Sequence, residues 1–432
     1  MTKEKRNSSK SNPIRRLLLV LGPGFVTGAS DDDPSGIGTY AAAGASLGFA
    51  TLWTALVTFP LMAAVQFICA KVAKVTGRGL AGVLKKHYSP WVVYPAVSAL
   101  VIANTINAGA DIGAIAAAIS MLIPVPILAM IVPITAILVA LQFWGSYTLI
   151  ERTFKWLTLA LFAYVATAFF VHPDAGEVLK GSLVPVIRFD SKFLATLTAI
   201  LGTTISPYLF FWQTGQEVEE EKRIGRTRII DREGATNKEV KRSAWDVTIG
   251  MLFSNVVMYF IILTTAATLF KSGKTDIQSA TDAAKALEPL AGGGARLLLA
   301  LGLIGTGFLA VPVLTGSAGY ALSEAFGWKH GLDHKPHQAK RFYIVIGASM
   351  LIAMQINFMN INPISALFWT AVINGFLAPP LLVFIMLVSR QKKIMGKWVN
   401  GRLVNVLGWL TTAAIFAAVI ALMITWMKAG FV

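Results

Sequence analysis

The sequence predicts an all-α polytopic membrane protein of eleven spans, and three observations carry that prediction. Of the 432 residues, 55% are hydrophobic and only 14% are charged, a balance typical of chains that live in a bilayer. The apolar residues fall in long runs, most of them able to cross a hydrocarbon core of roughly 30 Å. Two of these runs, the first and the sixth, are interrupted near their middles by proline beside polar residues.

Hydropathy and breaker residues place the spans near 17–46, 48–70, 90–122, 124–144, 153–171, 192–216, 244–270, 295–323, 342–360, 363–389 and 403–427. The chain reads as one transporter domain over 1–432. It has a polar tail at 1–16, one repeat over 17–171, a second over 192–389 and an additional eleventh helix at 403–427. Met1 to Arg16 is polar and basic and leads directly into the first long run. No small-residue cleavage site follows a short apolar core, so the first span reads as a retained anchor.

Alternate connections separate by charge. One set comprises the amino terminus, Lys71 to Lys86, Glu151 to Lys155, Lys222 to Arg242, Lys329 to Arg341 and Arg390 to Arg402. The other includes two nearly uncharged turns, Ile123 to Pro126 and Asn357 to Pro363, and longer connections of mixed charge near 172–192 and 271–296. Basic excess on one side predicts a cytoplasmic amino terminus and an external carboxyl terminus. The formal net charge of +16 is then topological, and no nucleic-acid partner is expected. Cys69 is the only cysteine, which excludes an intrachain disulfide and a thiolate cluster.

The densest chemistry lies in the first break. Asp31, Asp32 and Asp33 stand in an otherwise uncharged run and are followed at once by Pro34, Ser35 and Gly36. On insertion scales each carboxylate at mid-membrane costs roughly 2.5–3.5 kcal/mol, so three together imply a use. Pro34 removes a helix donor and Gly36 relaxes the backbone. A broken helix with bare carbonyls beside carboxylates is a cation site. Gly202-Thr203-Thr204-Ile205-Ser206-Pro207 makes a matching break in the sixth span. Interrupted spans at corresponding positions mark an inverted repeat of five plus five spans, with the site between the breaks.

Elsewhere in the membrane, polar groups are sparse. Asp111 is the other acid expected deep in a span, and Asn104, Asn107 and Asp111 recur at helical spacing on one face. Such a face either clamps a neighbouring helix or lines the ion path, and the carboxylate favours the path. All five histidines, His87, His172, His330, His334 and His337, fall in predicted loops. The last three lack carboxylate or thiolate partners at ligand spacing and read as a solvated loop. From Phe342 to Ser389 there is no charged residue and no histidine, so a proton relay of titratable groups through the membrane is nearly missing.

At these residues the chain resembles the NRAMP family of divalent-metal transporters, over essentially 15–430. The likeness starts at Leu21-Gly22-Pro23-Gly24-Phe25 and reaches the family's Asp-Pro-Gly-Asn motif, here Asp33-Pro34-Ser35-Gly36. The sixth-span Ala-Thr-Val-Met-Pro-His reads Thr203-Thr204-Ile205-Ser206-Pro207-Tyr208. The third-span Asp-Leu-Ala-Glu reads Asp111-Ile112-Gly113-Ala114, and the eighth span matches around Thr315-Gly316-Ser317. The resemblance implies a LeuT-like architecture with helices 1 and 6 broken at mid-membrane.

The departures from the family pattern are informative. The aspartate ligand persists as Asp33, but the asparagine ligand is Gly36 and the methionine is Ser206. The proton-accepting acid is replaced by Ala114, and the sixth-span histidines by Tyr208 and Gln213; the ninth-span arginine has no counterpart. This pattern looks like the prokaryotic NRAMP-related magnesium transporters, which the resemblance implies carry the hydrated ion without proton coupling. Ligand chemistry points the same way: thioether sulfur suits softer metals, whereas hydroxyls, carbonyls and carboxylates suit magnesium and calcium. Magnesium gives up water reluctantly and is usually held by one or two carboxylates.

The expectation is therefore uptake of magnesium, with manganese as a further substrate, across the bacterial inner membrane. Asp33 is the principal ligand and Thr203 supplies a carbonyl. Ser35, Gly36, Thr204 and Ser206 line the hydrated ion, Asp32 and Asp111 concentrate cations, and Asp31 caps a vestibule. Three successive residues of a helix diverge by about 100° each, so the three aspartates cannot all face one ion. The expected partners are the divalent ion and the lipid bilayer, with no cofactor and no obligate protein partner. A proton-coupled manganese or iron transporter is the alternative in the same class. A sodium-coupled amino-acid carrier would set a substrate carboxylate at the half-helix amino termini, where three aspartates repel it. An enzyme is not expected, because a membrane metalloenzyme would need His or Cys ligands at mid-membrane, and only Cys69 is there.

Overall fold

The computed structural model describes residues 22–145 and 157–428. The predicted tail, Leu17 to Leu21 and the Glu151–Lys155 connection lie outside the described residues. Among those described, the eleven predicted spans are present and no strand occurs. The first span is two helices, Pro23–Asp31 and Pro34–Leu47, and the sixth is Ser191–Thr204 and Pro207–Arg223. The second to fifth are Leu52–Thr76, Pro90–Leu122, Ile127–Phe143 and a segment ending in Phe162–Val171. The seventh, Asn237–Thr265, runs into a π-helical turn at Ala266–Phe270. Ala295–Phe326, Lys340–Ile356, Pro363–Arg390 and Arg402–Lys428 complete the set.

Hydropathy misplaces several ends, always by stopping too early at charge. The second span runs six residues past the expected end at Ala70, to Thr76, and the sixth continues past Gln216 to Arg223. The seventh starts at Asn237 rather than at Ala244. Lys71 and Lys74, expected in a connection, are buried helical residues. Lys74 Nζ lies 2.9 Å from Glu217, 2.6 Å from Glu220 and 3.0 Å from Glu221. Charges that neutralise one another in pairs let a helix continue where a hydropathy window ends it. The two longer connections also carry short helices, Ala175–Leu183 in one, Ala280–Ala284 and Glu288–Ala291 in the other.

The seventh span splints the broken first span along its length. Asp246 accepts the Gly22 and Gly24 backbone N–H groups at 2.7 Å each and that of Phe25 at 3.2 Å. These are amino-terminal donors of a helix that has no side-chain cap of its own. One turn on, a methyl group at Gly28 would collide with the Gly250 carbonyl, and one at Gly250 with the Gly24 carbonyl. The backbones touch because no side chain intervenes, as at other small-residue interfaces between membrane helices. Beyond the break, Gly44 is likewise closed in by Ile262 and Thr265.

Asp246→Ala is expected to lower the unfolding midpoint in detergent, by an amount corresponding to about 1–2 kcal/mol for lost capping. Asp246→Asn, which keeps an acceptor oxygen, should fall between it and the parent. A midpoint unchanged in the alanine variant would show that the cap contributes nothing to stability.

Candidate metal centre

The site grows out of the two breaks. Asp33 sits between the halves of the first span as the N-cap of Pro34–Leu47, with Pro34 at the first helical position, where its missing N–H costs nothing. Its Oδ1 accepts the Gly36 backbone N–H at 2.7 Å. Its Oδ2 accepts from Asn107 Nδ2 and from the Tyr208 hydroxyl, each at 3.3 Å. The Tyr208 hydroxyl also lies 2.9 Å from the Ser30 carbonyl, at the carboxyl end of the first half-helix, so its one hydrogen is shared between the two acceptors. Third, first and sixth spans therefore meet on one carboxylate.

Gly36 stands among the oxygens beside it. A Cβ placed there would lie 3.2 Å from the Asp31 carbonyl, 3.3 Å from Thr203 Oγ1 and 3.4 Å from Asp33 Oδ1. Each of these neighbours is an oxygen. The Thr203 carbonyl is not bare, because Ser206 Oγ donates to it at 2.6 Å and lies 2.9 Å from the Gly202 carbonyl. A carbonyl has a second lone pair, so this bond orients the Thr203 oxygen without exhausting it. Among the described residues, no group of three or more His, Cys, Asp or Glu is arranged to hold a metal. An ion here would lean on carbonyls, hydroxyls and its own waters.

Other expected residues fall differently. Asp31 and Asp32 are at most 1% exposed, and both are turned toward the seventh span, around Ser254 Oγ at 2.6 Å and 3.0 Å. Asp111 is buried near the Ser35 backbone amide and Asp33, and neither of its carboxylate oxygens makes a hydrogen bond. Asn104, expected on the same face, instead donates to the Leu314 carbonyl of the eighth span at 3.1 Å. Ser35 is buried beside Asp33. Thr204 turns its hydroxyl back onto the Ile200 carbonyl of its own helix.

Gln213 lies further along the sixth span, away from Asp33. Its Oε1 accepts from Thr27 at 2.5 Å and its Nε2 donates to Glu217 at 2.9 Å. Five residues past Tyr208, it has risen about 7.5 Å along the helix. It belongs with Lys74 and Glu217, so Asp111 is not the sole further buried acid: Glu217, Asp246 and Glu324 are buried too.

Among the described residues, the histidine loop holds no group of three or more His, Cys, Asp or Glu arranged for a metal. His330 Nδ1 contacts its own strand of chain at the Trp328 carbonyl, 2.8 Å away. Burial, then the Lys329 and Lys222 charges, hold His334 below the usual histidine range.

Sequence reasoning missed Ser254, Tyr40 and Asp246. The adjacent polar pair Ser254-Asn255 inside an apolar span was the available signal, because polar side chains between membrane helices usually have partners. Asn255 indeed binds the Ala55 carbonyl and accepts from Thr58 at 3.1 Å.

Residues 24–425 match the family described as natural resistance-associated macrophage protein-like, Nramp. The chain belongs to the Nramp family. Two Nramp relatives carry the name divalent metal cation transporter MntH, from Klebsiella pneumoniae strains 342 and ATCC 700721 / MGH 78578. They are 27% and 28% identical, over 96% of this chain and 96% of theirs. A variant of the Eremococcus coleocola manganese transporter shares the Nramp fold seen here, with a TM-score of 0.73 at 19% identity. That match covers 100% of this chain and 90% of the other. The fold reaches further, to Mhp1, a nucleobase-cation-symport-1 family transporter, at a TM-score of 0.58 and 12% identity over 95% and 93% of the two chains. The broken first and sixth spans are thus set in a LeuT-like inverted repeat.

Proposed function

We propose that this protein is a divalent-cation transporter that takes up hydrated magnesium across the bacterial inner membrane, without proton coupling and without enzymatic activity. The carrying observation is the set of oxygens gathered around Gly36, namely the Asp31 carbonyl, Thr203 Oγ1 and Asp33 Oδ1. Of the residues around it, Ser206, Asn107 and Tyr208 offer hydroxyl and amide groups that can bond a coordinated water, and none offers sulfur or imidazole. Magnesium retains several waters and takes few carboxylates, which suits one aspartate among neutral oxygens. The role of ligand is proposed for Asp33, Gly36 (through the space it leaves), Thr203 and Ser206. Basic connections on one side support a cytoplasmic amino terminus and an external carboxyl terminus.

A second reading, proton-coupled manganese uptake, is favoured by the names of the relatives and by the unpartnered Asp111 carboxyl. An amino-acid carrier is disfavoured, since fold does not fix substrate and buried aspartates would repel a substrate carboxylate. Flux into proteoliposomes with magnesium, manganese and calcium, read beside internal pH, separates these. Magnesium entry is expected to follow the membrane potential alone, because moving two charges through 100 mV is worth roughly 4.6 kcal/mol. A metal-dependent, stoichiometric fall in internal pH would favour the coupled reading instead.

A further inference from the structure

We propose that a second cation position lies beside the Asp33 site, between the first and seventh spans, formed by Asp31, Asp32, Ser254 and Tyr40. It deepens the transport reading and rests on that reading for the nature of the ion, a hard cation that prefers oxygen.

Ser254 Oγ lies 2.6 Å from Asp31 Oδ2 and 3.0 Å from Asp32 Oδ1. A hydroxyl carries one hydrogen, so it cannot fully satisfy both carboxylates. Their other oxygens, Asp31 Oδ1 and Asp32 Oδ2, are buried without a hydrogen-bond partner. Buried carboxylate oxygens left unmatched are costly, and a cation between them removes that cost.

An independent group points into the same place. Tyr40 is fully buried and its hydroxyl makes no hydrogen bond, although Thr204 is near. Tyr40 stands on the second half-helix, where side chains lean toward the helix amino terminus. Its ring is thereby directed back to the break, within electrostatic reach of Asp31 and Asp32. A neutral hydroxyl oxygen completes a donor set of two carboxylates and two hydroxyls, chemistry that suits magnesium, calcium or sodium.

Asp31, Asp32, Asp33 and Asp111 are all buried, and no ion pair to a basic side chain reaches them among the described residues. Asp33 spends its own oxygens on Gly36, Asn107 and Tyr208, a different set of partners from those of Asp31 and Asp32. The two positions are therefore neighbours with different carboxylates.

Manganese serves as the probe, with free ion counted by electron paramagnetic resonance during titration of the purified, monodisperse protein. The parent is expected to bind two equivalents and the Asp31→Asn/Asp32→Asn variant one. Ser254→Ala and Tyr40→Phe should weaken only the second equivalent, by about tenfold. Sodium that displaces the second equivalent and spares the first would identify a monovalent occupant of the same position and support the proposal. A single equivalent in the parent, unmoved by the double substitution and by sodium, would overturn it. Asp33→Asn tests the transport site separately: two equivalents retained in that variant would remove Asp33 as a ligand while leaving the second position in place.

Discussion

Asp33→Asn is expected to reduce magnesium uptake into proteoliposomes by two to three orders of magnitude while the purified protein remains folded and monodisperse. Asparagine keeps an oxygen for the Gly36 N–H, so the cap of the second half-helix survives, and it can still meet Asn107 and Tyr208. What it removes is the charge. Losing one partner of a buried ionic contact costs about 3–5 kcal/mol, which sets the size of the effect. Asp33→Ala removes the cap as well and should add a stability loss of about 1 kcal/mol. Near-normal flux in the asparagine variant would exclude Asp33 as the charged ligand.

The second large effect concerns selectivity. Ser206→Met together with Gly36→Asn is expected to raise the ratio of cadmium to magnesium binding, measured by calorimetry, by about tenfold or more, equivalent to roughly 1.4 kcal/mol. Methionine supplies a polarizable sulfur that gains more from a soft ion. It also deletes the hydroxyl that now bonds the Thr203 and Gly202 carbonyls, freeing the Thr203 oxygen. Asparagine at 36 places a carbonyl among the site oxygens, and its Cβ meets oxygens at 3.2–3.4 Å, so these neighbours must yield by a few tenths of an ångström. The narrowed site penalises an ion that keeps its waters, and dehydration costs magnesium most. An unchanged ratio in a folded variant would mean that neither ligand softness nor the width of the site sets the choice.

Both breaks were legible because they are local. Pro34 after three aspartates and Pro207 after Thr-Thr-Ile-Ser interrupt a helix whatever surrounds them. That Asn107 and Tyr208 converge on Asp33 depends on packing, yet Asn107 stood out as a polar group in an apolar span and Tyr208 through the family resemblance. Asp246 and Ser254 were not legible, for their partners lie more than 220 residues away. Their alignment follows from glycine faces whose mutual contact no periodicity reveals. The contacts of Gln213 with Thr27 and Glu217 were not legible, because matching a family position says nothing about which side of a helix its side chain leaves. The charged ends of the second and sixth spans were missed for a simpler reason: a hydropathy window counts Lys74 and Glu217 as two penalties, whereas the fold makes them a pair.

The glycine contact between the first and seventh spans restricts how this part of the molecule can move. Helices separated by side chains can slip by small amounts, since rotamers adjust and act as bearings. Gly24 and Gly28 offer Gly250 no such cushion; their backbones interlock, and a shift along the axis would drive Cα atoms into carbonyls. Shear is closed to this pair. The amino-terminal half of the first span must either lift clear of its neighbour, giving up the Asp246 cap in the same step, or carry the seventh span with it as one rigid lever.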